Sequence, residues 1–175
     1  MRRNAIALGV LSLLGAGAVS VSAYAFRWPL VNAAIRGEFR EVEPITTAEL
    51  AAWLADEARP APLLVDVRTR AEYDVSHLAG AEYGGARTGF DLSQQPRDRA
   101  IVTYCSIGYR SGRFARSLRA AGFTNVRNLE GSIFQWANEG RPVFRGEERV
   151  TEVHPYNNTW AVFLEHKHRA RTAAR

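Results

Sequence analysis

The sequence predicts an α/β fold in which parallel strands alternate with helices and ligands bind at the carboxyl ends of the strands. Two short, apolar, β-prone runs, residues 63–67 and 100–104, each lead into a segment of helical character. Such runs are buried on both faces, which requires helices above and below the sheet. With 175 residues, 46% of them hydrophobic, the chain has material for one ordinary domain plus appendages.

Residues 1–26 stand apart from that domain. Arg2 and Arg3 precede an uncharged stretch from Ala5 to Phe26, and Arg27-Trp28-Pro29 follows. This is the pattern of a membrane-addressing segment. One reading is a signal peptide with Ile6 to Leu14 as its apolar region and Ala23-Tyr24-Ala25 as a small-x-small cleavage site. The other is an uncleaved anchor, since the stretch has about the ~20 residues a spanning helix needs. Either way the positive N-terminus stays in the cytoplasm and the globular part lies outside it, in a periplasmic setting. Residues 27–44 read as a linker, with a short helix after Pro29 that ends at Gly37.

The domain is expected over residues 45–150. Thr46-Thr47-Ala48-Glu49 has the form of a capping box, opening a helix that turns Leu50, Trp53 and Leu54 inward and runs to about Ala58. Pro60 and Pro62 separate it from the first buried strand, 63–67. Thr69-Arg70-Ala71-Glu72 is a second capping box, starting a short helix. After the strand at 100–104, residues 111–121 place Phe114, Ala115, Leu118 and Ala121 on one face, with Ser111 as cap and Gly122 as stop. A turn and strand over 122–129 and a short helix over 131–138, with Phe134 and Trp136 packing, complete the pattern. Residues 151–175 form an extension: Asn157 and its neighbours cap a last helix bearing Trp160, Phe163 and Leu164, and a basic tail follows. Its expected role is to cover the domain, its basic residues being either a solvated end or a contact for anionic lipid.

Cys105 is the single cysteine, and it sits where the second buried strand passes into a helix. A cysteine at such a turn faces backbone N–H groups and the positive end of the helix dipole, both of which favour thiolate over thiol. The loop continues Ser106-Ile107-Gly108-Tyr109-Arg110. Gly108 permits a close backbone approach, and Arg110 adds a positive charge. Cys105 is therefore the candidate nucleophile, and Ser106, Ile107, Gly108, Tyr109 and Arg110 are the candidate substrate-binding residues.

Three ordered segments carry a family resemblance. Leu64-Val65-Asp66-Val67-Arg68, then Glu72-Tyr73, then His77-Leu78-Ala79-Gly80-Ala81 resemble the first rhodanese signature. Gly122-Phe123-Thr124-Asn125-Val126 with Leu129, Gly131 and Trp136 resembles the second, and Cys105 to Arg110 is similar to the family's C-x-x-G-x-R loop. The resemblance spans roughly Ile45 to Phe144. It implies a three-layer α/β domain around a central parallel sheet. It also implies a cysteine that takes sulfane sulfur from an anionic, thiosulfate-like donor, becomes a persulfide, and passes the sulfur to a thiol or cyanide. No cofactor is implied. Ser76 stands where the family usually has glycine, Ser132 replaces the second glycine of the later signature, and Glu82-Tyr83-Gly84-Gly85 replaces an Asn-Ile-Pro-like segment. Ser106 lies where many active members carry arginine or lysine, which removes a charge from the pocket.

Composition bounds the alternatives. One cysteine excludes an intrachain disulfide framework, and no cysteine or histidine spacing suggests a metal site. No nucleic-acid partner is expected. From Arg97 to Asn128 there are seven arginines and one acid, Asp98, so the field near the loop is expected to favour anionic donors; Arg113, Arg116 and Arg119 fit equally well as a solvated helix face. Asp66, Arg68, Glu72 and His77 read as structural, and His154 has no visible partner. Two rival functions arise. Related phosphatase loops resemble C-x5-R, whereas Cys105 to Arg110 is C-x4-R. The second rival is a non-turnover binding or redox-sensing module at the membrane.

Overall fold

A computed structural model describes residues 27–84 and 94–171. Residues 1–26, read above as a membrane-addressing segment, lie outside the described residues. Among the described residues no helix is long and apolar enough to cross a membrane.

The chain begins with helix α1 over residues 27–38. It continues β1 (Glu43–Ile45), α2 (Thr47–Ala55), β2 (Leu63–Asp66), α3 (Arg70–Val75), β3 (Glu82–Tyr83) and β4 (Ile101–Tyr104). Then follow α4 (Tyr109–Ala120), β5 (Val126–Leu129), α5 (Ser132–Asn138), the hairpin strands β6 (Val143–Arg145) and β7 (Glu148–Val150), and α6 (Asn158–Ala161). Five strands form one sheet in the order β1-β5-β4-β2-β3, with every neighbouring pair parallel. The expected α/β architecture is therefore present, with β4 at its centre.

Alternation along the central strands sends side chains to two cores. Leu64, Val102, Tyr104 and Leu129 join Leu50, Trp53, Ile133 and Phe134 on one face. Val65, Ile101 and Val126 join Ala115, Leu118 and Phe123 on the other. Because successive residues of a strand point to opposite faces, helices must cover both, and they do. Both capping boxes form: Thr46 and Thr69 each accept from the N–H three residues on, and Glu49 and Glu72 return a carboxylate to the cap N–H.

Several boundaries differ from the sequence reading. Helix α2 ends at Ala55 rather than near Ala58, and Leu54 is exposed while Leu50 and Trp53 are buried. Helix α4 begins at Tyr109, with Gly108 as its N-cap at φ 111°, so Ser111 is a buried first-turn residue and not the cap. Its inward face is Ser111, Gly112, Ala115 and Leu118, with Phe114 only half-buried and Ala121 exposed.

The segment read as a linker is structural. Asn32 accepts from the Gly131 N–H at 3.0 Å, Arg36 pairs with Glu130 at 2.7 Å, and Phe39 is buried against α4. The last residues of the segment enter edge strand β1, where Glu43 and Pro44 lie opposite Arg127 and Asn128 of β5. The extension after residue 150 is also integral. Val153 and Leu164 are fully buried, Val153 exchanges backbone hydrogen bonds with His168 and Ala170, and Asn138 ties Phe163 and Glu165 to α5. Asn157 caps the last helix as expected, though α6 has a single turn.

Gly112 offers a direct check on how α1 and α4 fit. A Cβ there would lie 2.5 Å from the Phe39 ring, which is buried and has no room to retreat. Alanine normally stabilises a helix interior over glycine by about 1 kcal/mol. Here Gly112→Ala is expected to destabilise by about 1–3 kcal/mol through overpacking, read as a lower urea midpoint at unchanged slope.

Candidate functional site

Cys105 follows the last residue of β4, at the carboxyl edge of the sheet and below the N-terminus of α4. Cys105 is 1% exposed as a residue, and its sulfur accepts a hydrogen bond from the Gly108 N–H at 3.2 Å. The loop can close this tightly because Gly108 adopts a left-handed conformation, and a Cβ there would press on Ile35 at 3.4 Å. The first i→i−4 bond of α4 runs from Gly112 to the Gly108 carbonyl. The N–H groups of Tyr109, Arg110 and Ser111 thus precede the helical ladder and leave positive potential at this end.

The loop backbone is held from below. The Ile133 and Phe134 N–H groups of α5 donate to the carbonyls of Cys105 and Ser106, each at 3.2 Å. The Cys105 N–H donates to Ser132 Oγ at 3.2 Å, and that hydroxyl donates to the Leu129 carbonyl at 3.0 Å. Ser132 sits at φ 48°, a left-handed backbone that glycine adopts more easily. Serine here exchanges backbone ease for a side-chain partner to the Cys105 N–H. Asn128 Nδ2 and Ser111 Oγ both donate to the Gly108 carbonyl.

Beside the loop lies an ion pair. Arg110 gives Nη1 and Nη2 to Glu72 Oε2 and Oε1 at 2.9 and 2.7 Å. Ser106 Oγ lies between the two groups, donating to Glu72 Oε1 at 3.2 Å and accepting from Arg110 Nη2 at 2.9 Å. Burial opposes the charge on Glu72, but the Arg110 guanidinium and the Thr69 backbone outweigh it and bring its pKa down to about 2. Burial likewise opposes the charge on Arg110. Glu72 and the neighbouring Cys105 overcome that and raise its pKa. Sequence reading placed Glu72 among structural residues. The structure makes it both the carboxylate of the α3 capping box and the partner of Arg110, a pairing across 38 positions that no local pattern signals.

The other residues singled out divide. Asp66 and Arg68 form a fully buried bidentate pair, and Arg68 also donates to the Ser76 carbonyl at 2.5 Å. His77 stacks on Tyr73 at 4.0 Å between ring centroids and bridges by its backbone to Phe144. His154 accepts from the Tyr156 N–H at 3.0 Å, so it has a partner after all. Its pKa is lowered by burial and by the positive charges of Arg68 and Arg110, which brings it into the electrical surroundings of the site. Three of the seven arginines of the expected basic field are ion-paired: Arg110 with Glu72, Arg116 with Glu38 and Glu41, Arg127 with Glu43.

In front of the loop is a cavity of about 500 Å³. Cys105, Ser106, Ile107, Tyr109 and Arg110 line one part of it, so five of the six loop residues border the same space. The rest is contributed by α1 and by Tyr156 and Trp160 of the extension, and the Tyr156 ring lies 4.5 Å from the Arg110 guanidinium. Neither flank was anticipated as part of the site. Among the described residues no cluster of three His, Cys, Asp or Glu side chains is placed to hold a metal ion.

Residues 46–139 match the family profile of the rhodanese-like domain. The chain belongs to this family. Its rhodanese-like domain is 36% identical over 101 residues to the probable adenylyltransferase/sulfurtransferase MoeZ of Mycobacterium tuberculosis, covering 56% of this chain and 25% of that protein. It is 32% identical over 141 residues to the tRNA uridine(34) hydroxylase of Enterococcus faecalis, covering 72% of this chain and 43% of that one. The chain thus spans between a quarter and under half of the length of these two relatives. Among solved structures, the Alr3790 protein from Anabaena superposes with a TM-score of 0.52 at 26% identity, over 57% of this chain and 79% of that one. A rhodanese-related protein from Thermoplasma volcanium gives 0.51 at 25% identity, over 59% and 98%.

The ion pair predicts a defined pH dependence. Folding lowers the Glu72 pKa from 4.5 to about 2, so its stabilisation is complete above the ordinary carboxylate range and is lost as pH falls through about 2. The shift corresponds to about 3 kcal/mol. Glu72→Gln is expected to be less stable than the parent by that order at pH 7, with the gap closing toward pH 2 in denaturant titrations. Arg110→Ala, which strands a buried carboxylate, is expected to cost about 3–5 kcal/mol. The double variant should lose less than the sum of the two.

Proposed function

We propose that the protein is a sulfurtransferase in which Cys105 carries sulfane sulfur as a persulfide between a small donor and a thiophilic acceptor. The observation that carries this reading is the Gly108 N–H aimed at the Cys105 sulfur at the foot of α4, in the wall of an open cavity. A thiolate placed there attacks the outer sulfur of a donor. With thiosulfate the donor's S–S bond breaks, sulfite leaves with the electron pair, and Cys105–S–S⁻ remains. A nucleophilic acceptor, a thiol or cyanide, then attacks the terminal sulfur and frees the cysteine thiolate. The loop N–H groups and the helix dipole stabilise the anionic persulfide as they would an oxyanion.

The similarity to the M. tuberculosis probable adenylyltransferase/sulfurtransferase supports this assignment. The proposal places the domain outside the cytoplasm, attached through residues 1–26 or released after their cleavage. Cell fractionation distinguishes the two.

The expected outcome is direct. Full-length protein exposed to thiosulfate, polysulfide or a thiosulfonate should gain one sulfur on Cys105 by mass spectrometry, and should release thiocyanate when cyanide is added. Cys105→Ala should lose both activities with its melting temperature little changed. A folded parent protein that acquires sulfur from none of these donors refutes turnover and leaves a binding or redox-sensing module.

A further inference from the structure

The cavity in front of Cys105 is far larger than an inorganic donor requires. Thiosulfate has five heavy atoms and fills on the order of 150 Å³ or less if each takes at most a water's share of about 30 Å³. The cavity measures about 500 Å³. Its walls are also of the wrong kind for a dianion. Val31, Ala34 and Ile35 come from α1, and Tyr156 and Trp160 from the extension. The charged side chains on its lining are already partnered: Arg110 gives both terminal nitrogens to Glu72, and Glu38 lies 3.8 Å from Arg116. Ser106 presents a hydroxyl tied into the same ion pair. Among the described residues that line the cavity, no uncompensated cation is left to hold a second negative charge.

Both apolar walls lie outside the matched family segment, which begins at residue 46 and ends at 139. They are nonetheless firmly built. Helix α1 is fastened through Asn32 to Gly131 and through Arg36 to Glu130. Tyr156 is held at φ 64°, a strained backbone for a bulky residue, between His154 and the Asn157 cap. Trp160 packs on Phe163, which in turn meets Trp28. A strained aromatic set over a guanidinium at the mouth of a reactive site is a feature the fold maintains at a cost.

Building on the sulfurtransferase reading, we propose that the donor is an organic sulfane-sulfur compound whose apolar body occupies the space between α1 and Tyr156–Trp160, with its single charge on the terminal sulfur at the Cys105 loop. With a donor R–S–S⁻, the Cys105 thiolate attacks the terminal sulfur, the donor's S–S bond breaks, and the electron pair leaves with R–S⁻. Cys105–S–S⁻ forms and the total charge is unchanged. With a thiosulfonate R–SO₂–S⁻ the same step releases the sulfinate R–SO₂⁻. Neither route needs an oxidant, a reductant or a metal. The loop and helix N-terminus hold the charged sulfur, and the flanks select R.

The test compares benzenethiosulfonate, methanethiosulfonate and thiosulfate as donors to the full-length protein, following the rate of sulfur gain on Cys105. Each kcat/KM is divided by the rate with a free thiol in solution, which removes intrinsic reactivity. The benzene compound is expected to exceed the methane compound by about tenfold or more, in line with the discrimination an apolar pocket provides, and to exceed thiosulfate as well. In Ala34→Trp, which fills the cavity from an exposed position, and in Trp160→Ala, which removes one wall, that ratio should fall toward one. Melting curves establish that each variant is folded, and Ala34 is the less demanding site because its side chain is not part of the core. Persulfidation that shows no preference for the larger donor, or a preference that both folded variants retain, overturns this inference alone. Failure of every donor to load Cys105 overturns the sulfurtransferase reading with it.

Discussion

The Glu72 carboxylate is the constraint on which the site depends. It accepts from the Thr69 N–H and hydroxyl at the start of α3, from both terminal nitrogens of Arg110 in α4, and from the Ser106 hydroxyl inside the nucleophile loop. One side chain therefore couples a helix cap, an ion pair and the loop that presents Cys105. Its burial would be prohibitive for a lone carboxylate. It is tolerated because every approach is covered by a donor, and this saturation makes a buried charge compatible with a stable fold. The sheet sets up the encounter: β2 and β4 are neighbours, with Asp66 opposite Tyr104, so the elements that follow their carboxyl ends emerge side by side.

What the sequence made legible was local. The capping boxes at Thr46 and Thr69, the buried strands and the strand–loop–helix setting of Cys105 each rest on residues within a few positions of one another, and all of them are found. The start of α4 was misplaced because a serine at position 111 is a good cap by composition. The conformation was decided instead by Gly108, whose positive φ lets the chain turn into the helix three residues sooner. Ser111 uses its hydroxyl on the Gly108 carbonyl and Asn128.

The missing part of the site was long-range. Nothing near residue 32 announces that Asn32 meets Gly131, nor near 39 that Phe39 occupies the space left by Gly112. The region 27–44 has no strong periodicity of its own, so its helix is specified by these partners rather than by propensity. The extension shows the same limit. Trp160 was expected only on a last helix, and its place on the same cavity as Arg110 and Cys105 follows from Val153 and Leu164 anchoring the segment across the domain. Local pattern singled out Cys105 and its loop. Tertiary closure determined what surrounds it.

Two serines express the chemistry of this particular loop. Where a cation at position 106 would add charge facing the cavity, Ser106 instead bridges Glu72 and Arg110, so the positive charge nearest Cys105 is already balanced. Where glycine at position 132 would leave the Cys105 N–H without this hydroxyl, Ser132 accepts it at the expense of a left-handed backbone. On the proposed sulfurtransferase reading, both changes shift the work of holding sulfur from side-chain charge to oriented backbone dipoles. Dipoles at a helix N-terminus act within a turn and stabilise one anionic atom well, whereas a second charge several ångströms away gains little from them. A loop built in this way suits the donor proposed above, charged at one end and apolar at the other, as does the apolar lining that α1 and the extension add to the cavity.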